Sequence, residues 1–179
     1  SDVYKRQEFI GHIKRVSTVE EARAYIESVR KTYHDARHVC SAFIIGADRD
    51  IQRSSDDGEP AGTAGVPMMQ ALLARQTRED GTTDLSDVVA VVVRYFGGIK
   101  LGAGGLVRAY TDSVVQTLDG ALFDSRERLR VGQVPSSHAD AGRLENEIRA
   151  AGLNVLGTEY GAEGATISLG VFDRPEELA

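Results

Sequence analysis

The sequence contains little cysteine, tryptophan or methionine. Among its 179 residues are one cysteine, no tryptophan and two methionines. The single cysteine, Cys40, excludes the intramolecular disulfides that stabilise small secreted domains, and it is typical of a protein in a reducing compartment. We therefore expect a cytoplasmic protein in which Cys40, within an apolar run, is a small buried side chain.

Positive charge and long hydrophobic runs are also scarce. The 21 basic residues are outnumbered by 27 acidic ones, which gives a net charge of −6. A protein that coats nucleic acid nonspecifically needs an excess of lysine and arginine, so this class is excluded, whereas a local basic patch is not. No apolar run approaches the length of a membrane span, and we expect no membrane partner.

Two glycine-rich stretches, each running into a helical pattern, are the main positive feature of a chain with 19 glycines. The first covers residues 55–73 and the second residues 88–118. In the second stretch a buried strand is followed by glycines, and helical periodicity resumes at Leu106. Such an arrangement leaves backbone N–H groups free to converge on an anion. The candidate phosphate- or nucleic-acid-binding residues are Arg94, Gly97, Gly98, Lys100, Gly102, Gly104, Gly105 and Arg108.

The second glycine stretch matches neither common nucleotide-binding fingerprint. The Walker pattern requires Ser or Thr after its lysine, but Leu101 follows Lys100. The Rossmann pattern fits at Gly102 and Gly104 but meets Val107 at the third glycine. Three interpretations stay open: architectural glycines, an anion or phosphate-backbone site, and a catalytic phosphate loop.

The first glycine stretch carries an acidic loop, which we define as the segment with Asp56, Asp57 and Glu59. Because Asp, Gly and Pro favour turns, we expect a solvated turn and no metal site. The open alternatives are a hard cation such as magnesium and a polar contact, either to a partner or to basic side chains of the second stretch. We expect the acidic loop to lie on the same face as the glycine loop, residues 97–105.

These stretches resemble the YigZ/IMPACT family. The matching segments are SDDGEPAGTAGVPM, VVVRYFGG, LGAGGLVRAY and, upstream, DARHVCSAFIIG, and the resemblance extends over about residues 9–122. It implies an α+β fold with a ribosomal-protein-like two-layer α/β domain, followed by a small domain like the fifth domain of elongation factor G. Eukaryotic members carry an additional RWD domain and act on the pathway that controls translation initiation during amino-acid starvation. This sequence shows no RWD segment, and bacterial members have no settled activity.

The expected organisation is two domains with unusual ends. Residues 1–7, SDVYKRQ, resemble a translated sequencing adapter, and we exclude them from the fold. Residues 8–124 form the IMPACT-type domain, whose first strand we expect to be missing. Residues 125–179 form a ferredoxin-like unit truncated within its second helix. Without its fourth strand, the strand predicted at residues 129–134 is expected to be an exposed edge.

Local patterns predict the individual elements. Strands are predicted at residues 9–16, 39–45, 50–54, 88–93, 129–134, 153–160 and 165–172. Helices are predicted after a capping box at Ser17 and Glu20, around Pro67, at about residues 103–118, and after Ser136 or Ser137, with Gly152 ending the last. A further helix is predicted to open at Asp173 and Pro175.

The sequence favours a binding protein over an enzyme. It shows no catalytic triad, no zinc motif and no cofactor fingerprint, so we assign no catalytic residue and no cofactor. The leading hypothesis is a translation-associated regulatory protein that binds RNA, the ribosome or another phosphate-bearing partner through the glycine loop. The alternatives are an enzyme acting on a small phosphorylated or carboxylated ligand and a protein-interaction module without a ligand. The oligomeric state is not predicted.

Overall fold

The fold consists of seven strands and four helices in the part of the chain that the structure describes. This computed structural model describes residues 7–96, 98, 100–121 and 126–172. The strands are β1 (Gln7–Arg15), β2 (His38–Ile45), β3 (Ile51–Ser55), β4 (Val88–Tyr95), β5 (Arg126–Ser136), β6 (Asn154–Tyr160) and β7 (Ala165–Phe172). The helices are α1 (Val19–Thr32), α2 (Gly65–Ala74), α3 (Ala103–Asp119) and α4 (Ala141–Ala150).

All seven strands form one antiparallel sheet. Their order is β3-β2-β4-β1-β5-β7-β6, so that β1 and β4 lie near its centre. Every residue of β4 from Val88 to Arg94 is buried, because helices cover both faces there. This mixed architecture confirms the α+β part of the predicted fold class. The ribosomal-protein-like two-layer domain stays a prediction.

Two hydrophobic cores lie on opposite faces of the sheet, as the two-residue period of the strands requires. On one face, α2 packs against β2 and β3, and α3 packs mainly against β1, β5 and β6. The core on this face includes Phe9, Met68, Leu72 and Tyr110. On the other face, α1 packs against β2 and β4. Helix α3 approaches the sheet closely at Gly11, where an added Cβ would stand 2.3 Å from Thr117 Oγ1. The α3 helix is therefore held directly above the sheet centre.

Helix α1 begins one residue later than its sequence pattern predicts. Its N-cap is Thr18, whose side chain accepts a hydrogen bond from the backbone N–H of Glu21 at 3.1 Å. The Glu21 carboxylate in turn accepts from the backbone N–H of Ser17 at 3.0 Å. The predicted box at Ser17 and Glu20 is thus wrong by one position, because Thr18 and Glu21 have the same spacing and chemistry.

The second half of the chain joins the same sheet, which corrects one expectation. The strand expected to be an exposed edge pairs on both sides, with Leu129 opposite both Phe9 and Phe172. The reason is that residues 7–12 of β1 pair with residues 126–131 of β5, so the first strand of the chain lies beside the second half. Strand β1 thus fills the position expected to be vacant.

Two further expectations about the second half have different outcomes. The hairpin of β6 and β7 lies where predicted, and Gly152 has the positive φ of +83° expected after a helix. The ferredoxin-like interpretation stays a prediction, although the order β5-β7-β6 is compatible with it. The helix predicted to open at Asp173 lies outside the described residues, as do residues 1–6.

Candidate functional site

A carboxylate of the acidic loop, that of Asp56, caps the N-terminus of α2. The Asp56 carboxylate accepts hydrogen bonds from the backbone N–H groups of Gly62, Ala64 and Gly65, at 2.9, 3.1 and 2.8 Å. Burial raises the pKa of Asp56, but the three backbone donors together outweigh it, and the net effect is a lowered pKa. Asp56 is therefore an internal anion at the start of α2. It accepts the backbone N–H groups that a bound phosphate could otherwise accept.

Asp57 ties the acidic loop to the neighbouring elements. Its φ of +42° lies in the left-handed region, which Asp tolerates better than most residues. Its Oδ2 accepts hydrogen bonds from the backbone N–H of Val39 at 2.7 Å and from Arg30 Nη1 at 3.1 Å. Its carbonyl oxygen lies 2.8 Å from His38 Nδ1. Asp57 thus fixes the loop against β2 and α1.

Glu59 is buried and pairs with Arg94. Its two carboxylate oxygens lie 2.8 and 2.7 Å from Arg94 Nη1, and Oε2 also accepts a hydrogen bond from the Tyr110 hydroxyl at 2.6 Å. The side chains of Glu59 and Arg94 are only 3% and 6% exposed. Since Arg94 precedes the glycine loop and Tyr110 follows it, Glu59 connects the two ends of that loop.

A buried polar cluster surrounds this ion pair. Arg94 Nε donates to Gln7 Oε1 at 2.8 Å, and His38 Nε2 lies 3.3 Å from Glu59 Oε1. We define the buried polar cluster as Gln7, His38, Cys40, Glu59, Arg94 and Tyr110.

The thiol and the phenol of the cluster are protonated donors. Burial raises the pKa of Cys40 to about 12, and burial also strongly raises the pKa of Tyr110. The Cys40 thiol lies 3.3 Å from the Tyr110 hydroxyl and 3.1 Å from the carbonyl oxygen of Asp56. Neither group is a nucleophile at neutral pH, because nucleophilic attack requires the ionised form. The cluster is therefore suited to holding the loop in place.

The start of α3 contrasts with the start of α2. Its N-cap is Gly102, and no side chain among the described residues caps it by a hydrogen bond. The first turn contains no acidic residue, and Gly102 and Gly104 are exposed. Lys100 and Arg108, on either side of this turn, are exposed as well. The partial positive charge of the α3 N-terminus thus lacks the internal carboxylate that α2 has.

A cleft of about 270 Å³ lies between the start of α3 and the second half of the sheet. It is lined by Leu101, Gly102, Gly104, Gly105, Arg108, Leu156, Gly157, Thr158, Glu159 and Ser168. Glu159 Oε1 lies 3.0 Å from the position that a Cβ on Gly102 would occupy, so an alanine at residue 102 would crowd it. The cleft therefore combines backbone and arginine donors with one exposed carboxylate.

The structure separates the predicted site residues into two groups. Gly102, Gly104, Gly105 and Arg108 line the cleft, and Lys100 is exposed just before it. Gly98 forms a turn with a φ of +82°. Gly97 lies outside the described residues.

Arg94 belongs to the buried polar cluster and not to the cleft. The acidic loop meets the second glycine stretch at this residue through Glu59, whereas Asp56 and Asp57 bond to α2, β2 and α1. Burial raises the pKa of Asp112, four residues after Arg108, and the Arg108 charge lowers it. Asp112 is therefore an electrostatic partner for Arg108 on the surface of α3.

Sequence reasoning missed four members of the buried polar cluster. His38 and Cys40 alternate along β2, which places them on one face of the strand, and this period was the available signal. Tyr110 is a polar aromatic within the apolar stripe of α3. Gln7 lies in the segment that resembles a sequencing adapter. Among the described residues, no group of three or more His, Cys, Asp and Glu side chains is arranged to hold a metal ion.

Comparison with known proteins places these features in a family. The Impact N-terminal domain family matches residues 5–118. The chain is 45% identical over 147 residues to IMPACT family member YvyE of Bacillus subtilis, covering 82% of this chain and 64% of that protein. It is 47% identical over 116 residues to IMPACT family member YigZ of Escherichia coli, covering 64% of this chain and 53% of that protein. The chain thus spans less than two thirds of either relative's own length.

The fold also resembles a solved structure. A crystal structure of a hypothetical protein superimposes with a TM-score of 0.58 at 32% sequence identity, covering 95% of this chain and 82% of that chain. The similarity therefore includes both halves of the sheet. Within the described residues, no helix has the length and apolar character needed to cross a membrane.

Proposed function

Because the chain belongs to the IMPACT family, we propose that it is a cytoplasmic regulatory protein of translation, which binds RNA, the ribosome or another phosphate-bearing partner at the start of α3. The binding groups are the backbone N–H groups of the first turn of α3, together with Lys100 and Arg108. The family supplies the link to translation, and the chemistry of the cleft supplies the link to phosphate.

One observation carries this proposal: the two glycine-rich helix starts are not equivalent. At α2 the Asp56 carboxylate accepts three backbone N–H groups. At α3 no described side chain does so, and two exposed cations stand beside the turn. A helix N-terminus with nearby cations attracts a phosphate group through its N–H donors and its partial positive charge.

The acidic loop favours binding over catalysis. In the enzyme alternative, the carboxylates of this loop would face the basic glycine loop across a cleft. Instead, the Asp56 side chain accepts from α2, Asp57 accepts from β2 and α1, and Glu59 pairs with Arg94. These three carboxylates therefore support the loops, and none of them lines the cleft.

Removal of the two cations tests the proposal. We expect the Lys100→Ala/Arg108→Ala variant to bind a single-stranded RNA oligonucleotide more weakly than the parent protein, with a shallower dependence of log K on log salt concentration. Each lost phosphate contact reduces that slope by about 0.7 for single strands. Fluorescence anisotropy at several salt concentrations measures both quantities.

A matched variant controls for net charge. Arg23 and Lys31 are exposed on α1, across the sheet from the cleft. The Arg23→Ala/Lys31→Ala variant removes the same two charges, and we expect it to keep the affinity and salt slope of the parent protein. Equal losses in both double variants would mean that the binding reflects overall charge, and the proposed site would be rejected.

A further inference from the structure

The exposed ring of Phe96 lies on the connection that leads from β4 to the proposed phosphate site. Phe96 is 53% exposed, in a chain where only 6% of the residues are aromatic. It follows β4 directly and precedes Lys100 by four residues, on the connection to α3. A large apolar ring exposed four residues before a lysine in a glycine-rich connection calls for a physical reason, because burial would normally be more favourable.

The ring is supported from one side by Arg94. The Arg94 guanidinium carbon lies 5.7 Å from the centre of the Phe96 ring and 5.4 Å from that of Phe9. These distances are those of a cation–π contact on each ring. The guanidinium thus bridges a buried ring and an exposed one.

The Arg94 guanidinium is itself held in place in the protein interior. Arg94 is held by Glu59 and by Gln7, each at 2.8 Å or less. The Glu59 carboxylate is held in turn by Tyr110 on α3. A side chain with this many strong contacts does not reorient freely, so Phe96 rests on a rigid, charged support and keeps more than half of its surface in solvent.

We propose that the ring of Phe96 is a stacking platform for an unpaired nucleobase, so that the partner of this site is a single-stranded nucleic acid. This inference rests on the proposed function, which supplies the phosphate contacts. An exposed aromatic face stacks on any of the four bases, and adjacent cations and backbone N–H groups hold the phosphates. The combination explains why an acidic protein keeps an exposed ring and two cations close together in sequence.

The test separates base contacts from phosphate contacts. The probes are a fluorescently labelled single-stranded RNA oligonucleotide and an abasic strand with the same sugar–phosphate backbone. We expect the parent protein to prefer the strand with bases. Phe96→Leu retains an apolar side chain without a ring, and it should weaken binding of that strand by roughly 5- to 150-fold, as the loss of one stacked base predicts. It should leave binding of the abasic strand unchanged.

Two controls separate the contribution of the aromatic ring from that of the phosphate contacts. Phe96→Trp retains an aromatic face and should bind the strand with bases at least as well as the parent protein. The salt slope of Phe96→Leu should equal that of the parent protein, because no phosphate contact is removed, whereas Lys100→Ala/Arg108→Ala should lower it for both strands.

The outcomes are distinguishable. Salt-dependent binding that is equal for both strands and indifferent to Phe96→Leu would overturn the stacking inference and leave the phosphate site intact. An equal loss of affinity for both strands in Phe96→Leu would also overturn it, since the ring would then only stabilise the connection between β4 and α3. Absence of salt-dependent binding to either strand would reject the proposed function and the stacking inference together.

Discussion

Neutralisation of Glu59 should lower the stability of the fold through one defined contact, the buried ion pair with Arg94. Glu59→Gln removes the negative charge that faces Arg94 and replaces one acceptor oxygen by an amide donor. Both side chains of the pair are at most 6% exposed, so solvent provides little screening of the guanidinium charge that remains. Breaking a buried ion pair by removing one partner costs about 3–5 kcal/mol. We expect a loss of that size in the free energy of unfolding.

Urea unfolding of single and double variants measures this loss. Arg94→Met removes the other charge, and the double variant Glu59→Gln/Arg94→Met should lose less than the sum of the two single variants, by roughly 0.5–3 kcal/mol. The control is Glu147→Gln, which breaks an exposed pair with Arg143 on α4. That change should cost far less than Glu59→Gln, because water and salt screen an exposed pair.

One result would refute this reasoning. If Glu59→Gln destabilised the protein by no more than Glu147→Gln does, the buried pair would not hold the loop. Strict additivity of the two single variants would lead to the same conclusion, because contacting residues should be coupled.

Three further predictions concern other parts of the molecule. Asp56→Asn should lower the free energy of unfolding at neutral pH by about 1–2 kcal/mol, because its carboxylate stabilises the start of α2. Folding lowers the pKa of Asp56 from 3.8. Its contribution to stability is therefore complete above pH 3.8 and is lost as the pH falls through the lowered pKa. Urea unfolding across the acid range should show the stabilities of variant and parent converging. Cys40, which is fully buried with a pKa raised to about 12, should not react with a maleimide in the native protein but should react in urea, and fast native labelling would contradict the burial. Glu159→Gln should strengthen binding of single-stranded RNA by about two- to fivefold at low salt, because it removes a like charge from the cleft, and unchanged anisotropy titrations would place the bound phosphate elsewhere.

Local signals were sufficient to predict most of the elements. The unbroken apolar run of β4, the turn between β6 and β7, and Pro67 in the first turn of α2 each specify structure within a few residues of themselves. The open start of α3 was also visible in sequence, because it requires only glycines followed by a helical period. Such features depend on backbone preference and periodicity, which do not need distant partners.

The pairing of Glu59 with Arg94 is one of the alternatives that the sequence left open, but the buried polar cluster as a whole could not be predicted because its contacts are distant in sequence. Arg94 contacts Gln7 across 87 residues and Glu59 across 35. No periodicity relates these positions, and each of the side chains is typical of an exposed surface residue. The pairing of β1 with β5 was missed for a related reason, since strand neighbours are chosen by tertiary packing and Gln7 had been set aside.

The contrast between the two helix starts can be tested directly with inorganic phosphate. In a two-dimensional ¹H–¹⁵N NMR titration, the backbone amides of Gly104 and Gly105 should shift in a saturable manner, while those of Ala64 and Gly65 should not, because Asp56 already accepts their hydrogen bonds. Shifts confined to the start of α3, and lost in Lys100→Ala/Arg108→Ala, are the predicted result. Equal shifts at both helix starts, or none at Gly104 and Gly105, would contradict the assignment of the phosphate site to α3.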